Sequence, residues 1–270
     1  GRRFRRAGLL FDAEMPFGGR LLPLGGDGGE AVRLDRLLSE CGLASRSEAA
    51  RACRAGQVTV NGAVVRRSDL HVSPETDAVV FCGRPVLYRR FVYLMLNKPA
   101  GYVSATEDGG SAVVTDLLPE EYRRMGLFPC GRLDKYTLGL MLLTNNGPLA
   151  HRLLAPKSHV TKSYAFTVSA PLGQREAAML EAGVDIGGYV TRPCRVELTG
   201  PDCGIITITE GKYHQIKRMM EQVGVRVTAL ERLTFGPLAL DPALERGQWR
   251  PLTPEEESAL EALAAPSERV

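Results

Sequence analysis

Leu34, Leu37, Leu38 and Cys41 recur at intervals of three and four, the spacing that lines apolar side chains along one face of a helix. Gly42 ends that pattern. Ser45, with Glu48 three residues on, forms a capping box for a second helix, which Gly56 stops. Two strand-like runs, 58–60 and 63–65, then flank Asn61 and Gly62, a pair suited to the positive φ values of a tight hairpin turn. Residues 33–74 therefore predict helix, helix, hairpin. From residue 91 the texture changes. Apolar or alternating runs at 91–96, 138–144, 163–168 and 204–209 read as strands, and 174–182 and 214–223 as short helices. These elements mix without a regular βαβ rhythm, which predicts an α+β fold rather than a doubly wound parallel sheet.

Composition fits this division. Of 270 residues, 44% are apolar and 24% charged, as in ordinary soluble globular chains. Residues 1–31 hold eight glycines and Arg2, Arg3, Arg5 and Arg6 without periodicity, and read as a flexible basic extension. Residues 81–90 read as a linker and 261–270 as an acidic, flexible tail. The longest apolar runs, 91–96 and 138–143, are far short of the roughly 20 residues of a membrane span. No leader pattern opens the chain, so the expected place is the cytoplasm, away from membranes. Six cysteines are scattered without a CxxC pair, and the four histidines do not cluster with them. Neither a disulfide framework nor a zinc site is expected.

Charge sharpens the picture. The net charge of +3 is unevenly spread: residues 1–90 carry 15 arginines and no lysine against 10 acidic residues, while residues 251–270 hold five glutamates and one arginine. A basic N-terminal third suits a polyanionic partner. Arg46 precedes the second helix, and Arg51 and Arg54 lie one turn apart on it. Such a row can meet successive phosphates, or be a solvated face.

For chemistry, the absences narrow the field. There is no GxGxxG after a strand, no GxxxxGK[ST], no HExxH and no GxSxG. The expectation is a reaction without cofactor, metal or nucleotide, such as an isomerisation or a simple hydrolysis. The densest candidate is GRLDKYTLGLMLLTNNG, residues 131–147, where Asp134 stands in a turn before an apolar strand with Arg132 and Lys135 beside it. A carboxylate held there can serve as nucleophile or base. Spacing alone equally allows a plain turn aspartate.

Longer segments carry a resemblance. RLDRLLSECGLASRSEAARACRAGQVTVNGAVV resembles the S4 domain, an RNA-binding module, over about residues 32–80. GRLDKYTLGL resembles the G-R-L-D-x-[D/N]-[T/S]-x-G-L motif of pseudouridine synthases. NKPAGYVSA (97–105), the K-x-Y of residues 162–164, EGKYHQIKRMM (210–220), VTALERLTFGPLAL (227–240) and GQWRPLT (247–253) agree in the same order. S4 plus GRLD is similar to the RsuA/RluB/RluE/RluF family of ribosomal RNA pseudouridine synthases. One departure stands out: Tyr136 occupies the position where the family has Asp or Asn.

The resemblance implies a small S4 domain at 32–80, then a mixed, mainly antiparallel sheet flanked by helices at 91–260. It implies catalytic roles for Asp134, Tyr164 and Lys217. Asp134 would attack the ribose C1′ or assist glycal formation, Tyr164 would stack on the base and help remove its C5 proton, and Lys217 would pair with Asp134. Expected RNA contacts are Arg33, Arg46, Arg51, Arg54, Lys98, Arg132 and Arg218. The expected partner is ribosomal RNA or a ribosome-assembly intermediate, met by a monomer. EGKYHQIKRM and GQWRPLT favour a uridine of small-subunit (16S) rRNA. The alternatives are a uridine of large-subunit (23S) rRNA, or a catalytically silent S4-type RNA-binding assembly factor.

Overall fold

A computed structural model of the chain describes residues 31–264. The expected basic extension, up to residue 30, and the last six residues of the acidic tail lie outside the described residues. The N-terminal module runs β1 (Val32–Arg33), α1 (Leu34–Glu40), α2 (Arg46–Arg54), β2 (Val58–Val60), β3 (Ala63–Val64), β4 (His71–Val72), β5 (Val79–Phe81) and β6 (Arg84–Pro85). The apolar face read from sequence packs it: Leu34, Leu37 and Leu38 of α1 bury against Ala49, Ala52 and Cys53 of α2 and against Val58, Val72 and Val79. The capping box forms as its spacing requires. The Ser45 hydroxyl accepts from the Glu48 amide at 3.3 Å, and the Glu48 carboxylate accepts from the Ser45 amide at 2.7 Å, satisfying two of the helix's orphan donors.

The larger part runs β7 (Tyr93–Lys98), α3 (Glu120–Arg124), β8 (Phe128–Pro129), β9 (Leu138–Thr144), α4 (Gly147–Leu154), β10 (Lys162–Val168), α5 (Gln174–Ala182), β11 (Arg195–Leu198) and β12 (Cys203–Ile208). It continues with α6 (Gln215–Gln222), β13 (Val227–Phe235), β14 (Leu238–Ala239), β15 (Trp249–Pro251) and α7 (Pro254–Ala264). Nine strands form a sheet, seven of them in the order β11-β12-β10-β13-β9-β7-β15, with β14 paired to β13 and β8 to β9 off this path. Every pairing is antiparallel except β13 with β9. The fold is α+β, as the unrhythmic alternation of elements predicted.

Strand alternation explains the two cores. Leu94 and Leu96 of β7, with Met141 and Leu143 of β9, face one side under α5 and α6. Tyr93 and Met95, with Leu140 and Leu142, face the other under α4 and α7. A sheet buried on both faces yields nearly continuous apolar strands, which is why residues 138–143 show little alternation. Gly139 is required where β13 and β9 meet. Its φ is +96°, and a Cβ there would overlap the Arg232 carbonyl oxygen and come within 2.8 Å of the Arg232 amide nitrogen.

Two boundaries differ from expectation. Residues 84–85, placed in a linker, pair with β5 as an extra strand of the S4 sheet. Residues 261–264, placed in a flexible tail, complete α7, where Leu260 and Ala264 are buried. An acidic surface on that helix masked its packing side.

Candidate active site

The turn before β9 is fastened from within the chain. The Leu133 amide donates to the Ser104 hydroxyl at 3.0 Å, and that hydroxyl donates to the Leu133 carbonyl at 2.7 Å. The Thr137 amide donates to the Asp134 carbonyl at 3.0 Å, and the Gly101 amide to the Lys135 carbonyl at 2.8 Å. Lys98, fully buried at the end of β7, completes the clasp. Its ammonium donates to the carbonyls of Pro99, Asp134, Lys135 and Thr137 at 2.9–3.2 Å.

Lys98 was expected to touch RNA. The structure corrects this: the side chain has no solvent exposure, and its donors are spent on backbone carbonyls. Local sequence offers little signal of this: Lys98 lies two residues beyond the apolar run 91–96, in an Asn-Lys-Pro segment, and the assembled sheet is what encloses it. Burial pushes the Lys98 ammonium down to about 8, against the pull of Asp134 and helped by Arg232. The folded protein thus releases this proton near pH 8, while the unfolded chain keeps it to the ordinary lysine range. Between those values the unfolded chain binds more protons, so this group makes folding more favourable as pH rises. Lys98→Met is expected to lose on the order of 3 kcal/mol at pH 7, because several buried carbonyls lose their donor. From pH 7 to pH 9.5 wild type should gain stability relative to the variant. Urea denaturation at both pH values measures the two differences, and a gap that narrows with pH contradicts the assignment.

Opposite the turn, the loop before α6 is built with equal care. Glu210, nearly buried, accepts from the Tyr189 hydroxyl at 2.6 Å, the Gln215 amide group at 2.7 Å and the Arg192 backbone amide at 3.1 Å. Gln215 also accepts from the Lys212 amide at 2.9 Å. Ile216, Met219 and Met220 bury one face of α6 in the core, which leaves Lys217 facing the turn. Its ammonium meets Asp134 Oδ2 at 2.6 Å. His214, in left-handed backbone at φ 51°, brings Nε2 to 3.5 Å from Asp134 Oδ1. Asp134 and Lys217 remain 29% and 31% exposed. A pair so open to water adds little to stability; its consequence is a carboxylate oriented by a charge-assisted hydrogen bond at a reachable position.

Of the predicted catalytic residues, the structure joins Asp134 and Lys217 directly. Tyr164 lies on β10 across from Arg232 of β13 and is 7% exposed. It shares its apolar cluster with Leu133 and Ile216, the chain neighbours of Asp134 and Lys217. Its hydroxyl has no hydrogen-bond partner among the described residues, where no buried polar side-chain atom lacks one, so that oxygen keeps contact with solvent. Arg132 is exposed two residues before Asp134. Arg218 lies against the loop at Gly187. In the S4 module, Arg46, Arg51 and Arg54 are exposed along α2 and form no ion pair among the described residues. Arg33 instead pairs with Asp35 at 2.6 Å, which holds the Asp35 carboxyl below its ordinary range. Sequence reasoning gave no role to Ser104, Glu210 and Gln215, although they stand within the quoted segments 97–105 and 210–220, and it passed over the contact of His214 with Asp134.

An exposed arginine row on a small module of helices and short strands, in one chain with a mixed sheet that presents a clasped carboxylate against a lysine, makes an α+β protein with a basic surface suited to a polyanion and a reachable acid suited to catalysis. Residues 32–77 match the S4 domain and residues 92–222 the RNA pseudouridylate synthase family. The chain is 48% identical over 230 residues to the uncharacterized RNA pseudouridine synthase YtzG of Bacillus subtilis (strain 168), covering 83% of this chain and 96% of that protein. It is 38% identical over 228 residues to ribosomal small subunit pseudouridine synthase A of Escherichia coli (strain K12), covering 83% and 98%. A crystal structure of a pseudouridylate synthase superposes with a TM-score of 0.59 at 34% identity, over 86% of this chain and 100% of that one. The chain belongs to the RNA pseudouridine synthases, in the group that carries an S4 domain and includes the RsuA-type enzymes. Among the described residues no helix is long and apolar enough to cross a membrane.

Proposed function

We propose that this enzyme converts one uridine of small-subunit ribosomal RNA to pseudouridine, with Asp134 as the nucleophile. The observation that carries the reading is the Asp134–Lys217 ion pair at 2.6 Å, a reachable carboxylate aimed by an ammonium from a segment 83 residues away. The reaction breaks the N1–C1′ bond of uridine, turns the base and forms a C5–C1′ bond, while C5 loses a proton and N1 gains one. It needs no electron donor. Asp134 engages C1′ as N1 departs, and Lys217 holds the carboxylate during attack and release. Tyr164, with its hydroxyl open to solvent, is the group assigned to the base and its C5 proton. A paired uridine must leave its stack to reach Asp134, at a cost of a few kcal/mol. The small-subunit target is supported by the relatives in Yersinia pestis and Escherichia coli, each a ribosomal small subunit pseudouridine synthase A, and by Tyr213 and His214 in the loop before α6. A silent assembly factor would have no use for an intact Asp134–Lys217 pair.

Incubating the purified enzyme separately with unmodified small- and large-subunit rRNA, then mapping pseudouridine by carbodiimide-dependent reverse-transcription stops, tests the target. One stop in the small-subunit RNA alone is expected. A stop only in the large-subunit RNA moves the substrate to the other subunit and leaves the site chemistry standing.

The α2 arginines are assigned to the RNA backbone. Changing both Arg51 and Arg54 to Gln should weaken binding and flatten the log–log salt dependence of affinity. The slope should fall by roughly 1.4 to 1.8, given about 0.7 per phosphate on single strands and 0.9 on duplex. Binding measured across a salt series reads this directly, and an unchanged slope places the anchor elsewhere.

A further inference from the structure

We propose that Tyr213 and Tyr136 are base-stacking platforms that grip the RNA bases next to the target uridine once it has left its stack. The inference deepens the RNA pseudouridine synthase reading and rests on it. Tyr213 is 73% exposed and Tyr136 72%, the most open large apolar side chains of the described residues. Both adjoin the site along the chain. Tyr136 is two residues beyond Asp134, in the clasped turn, and Tyr213 adjoins His214 in the loop that leads into α6, the helix carrying Lys217.

Tyr213 is held as well as exposed. Its ring lies nearly parallel to the His214 imidazole, with centroids 3.9 Å apart and planes 20° from each other. His214 is itself fixed by its left-handed backbone and by its approach to Asp134 at 3.5 Å. Carboxylate, imidazole and phenol therefore form a continuous series, and the phenol ends it with a face turned to solvent. Every nucleobase offers a matching planar face, so such a ring accepts bases with little regard to sequence. Tyr136 likewise offers an open ring at the carboxylate's turn. Exposed Arg132 and Lys135 in the Asp134 turn and Lys212 beside Tyr213 suit the flanking phosphates. Extruding one nucleotide uncovers the faces of both its neighbours, and two tyrosines at the two loops of the site can cover them.

The test uses the full chain and unmodified small-subunit rRNA, with Tyr213→Ala, Tyr213→Phe, Tyr136→Ala and Tyr136→Phe. These positions are exposed, so each variant should keep the wild-type Tm. Each alanine variant is expected to raise Kd and KM roughly tenfold with a smaller change in kcat, and each phenylalanine variant to stay close to wild type, because stacking needs the ring and not the hydroxyl. Once the target uridine is mapped, 2-aminopurine placed beside it in a short oligonucleotide should be quenched by wild type and brighter with an alanine variant. An alanine variant that binds like wild type overturns the assignment for that residue. A phenylalanine variant as weak as alanine overturns it too, by making the contact a hydroxyl one. If wild type turns over normally and the alanine variants bind and react like wild type, only stacking fails. If wild type forms no pseudouridine in either rRNA, the functional reading fails and takes the stacking with it.

Discussion

Asp134→Asn is expected to abolish pseudouridine formation, by roughly 10,000-fold or more, as for other enzymes stripped of their nucleophile. The amide keeps the size and shape of the carboxylate but lacks its charge and nucleophilicity. The turn that carries it should survive, because its fastenings run through backbone groups, Ser104 and Lys98 rather than through the Asp134 side chain. RNA affinity should stay near wild type, since the arginine row of the S4 module is untouched. Single-turnover assays and binding curves on the same preparation separate the two effects. Measurable turnover by a pure, deamidation-free variant would falsify the nucleophile assignment.

Lys217→Met should be the second most damaging change, lowering kcat by roughly a hundredfold to a thousandfold, the usual cost of deleting a preorganised polar group at the reacting centre. The lysine makes a short contact to Asp134 Oδ2, so its loss frees the carboxylate to rotate and removes the cation in direct contact with it. Among the described residues His214, at 3.5 Å from Oδ1, is the side chain still within ion-pair distance. KM and RNA affinity should change far less than kcat. Lys217→Arg should be milder, because it keeps a cation within reach. A loss of affinity that matches the loss of rate would instead make Lys217 a phosphate contact.

These two residues could be paired from sequence only because whole motifs resemble a known family. Eighty-three positions separate them, and no local periodicity connects a turn before one strand to the first turn of a distant helix. The elements themselves were more legible. The spacing of Leu34, Leu37, Leu38 and Cys41, the Ser45–Glu48 cap and the Asn61–Gly62 turn each encode local geometry, and α1, α2 and the β2–β3 hairpin follow. Lys98 marks where local reading stops. A lysine in a loop-like Asn-Lys-Pro segment reads as solvent-facing, and only the assembled sheet, with β7 between β9 and β15, shows that it is enclosed. Glu210 is similar: it holds a loop in shape through Tyr189 and Arg192, which tertiary packing brings near, while Gln215 braces the same loop through neighbours within five residues. The parallel contact of β13 with β9 was also invisible, although Gly139 within the strand signals a close backbone approach.

The most direct test of an aspartate-dependent synthase acting on small-subunit rRNA is a pseudouridine map of both rRNAs from a strain lacking this gene. One small-subunit position should lose its pseudouridine. A wild-type copy should restore it, and an Asp134→Asn copy expressed to the same level should not. An unchanged map in both subunits, or restoration by the asparagine copy, would contradict the assignment.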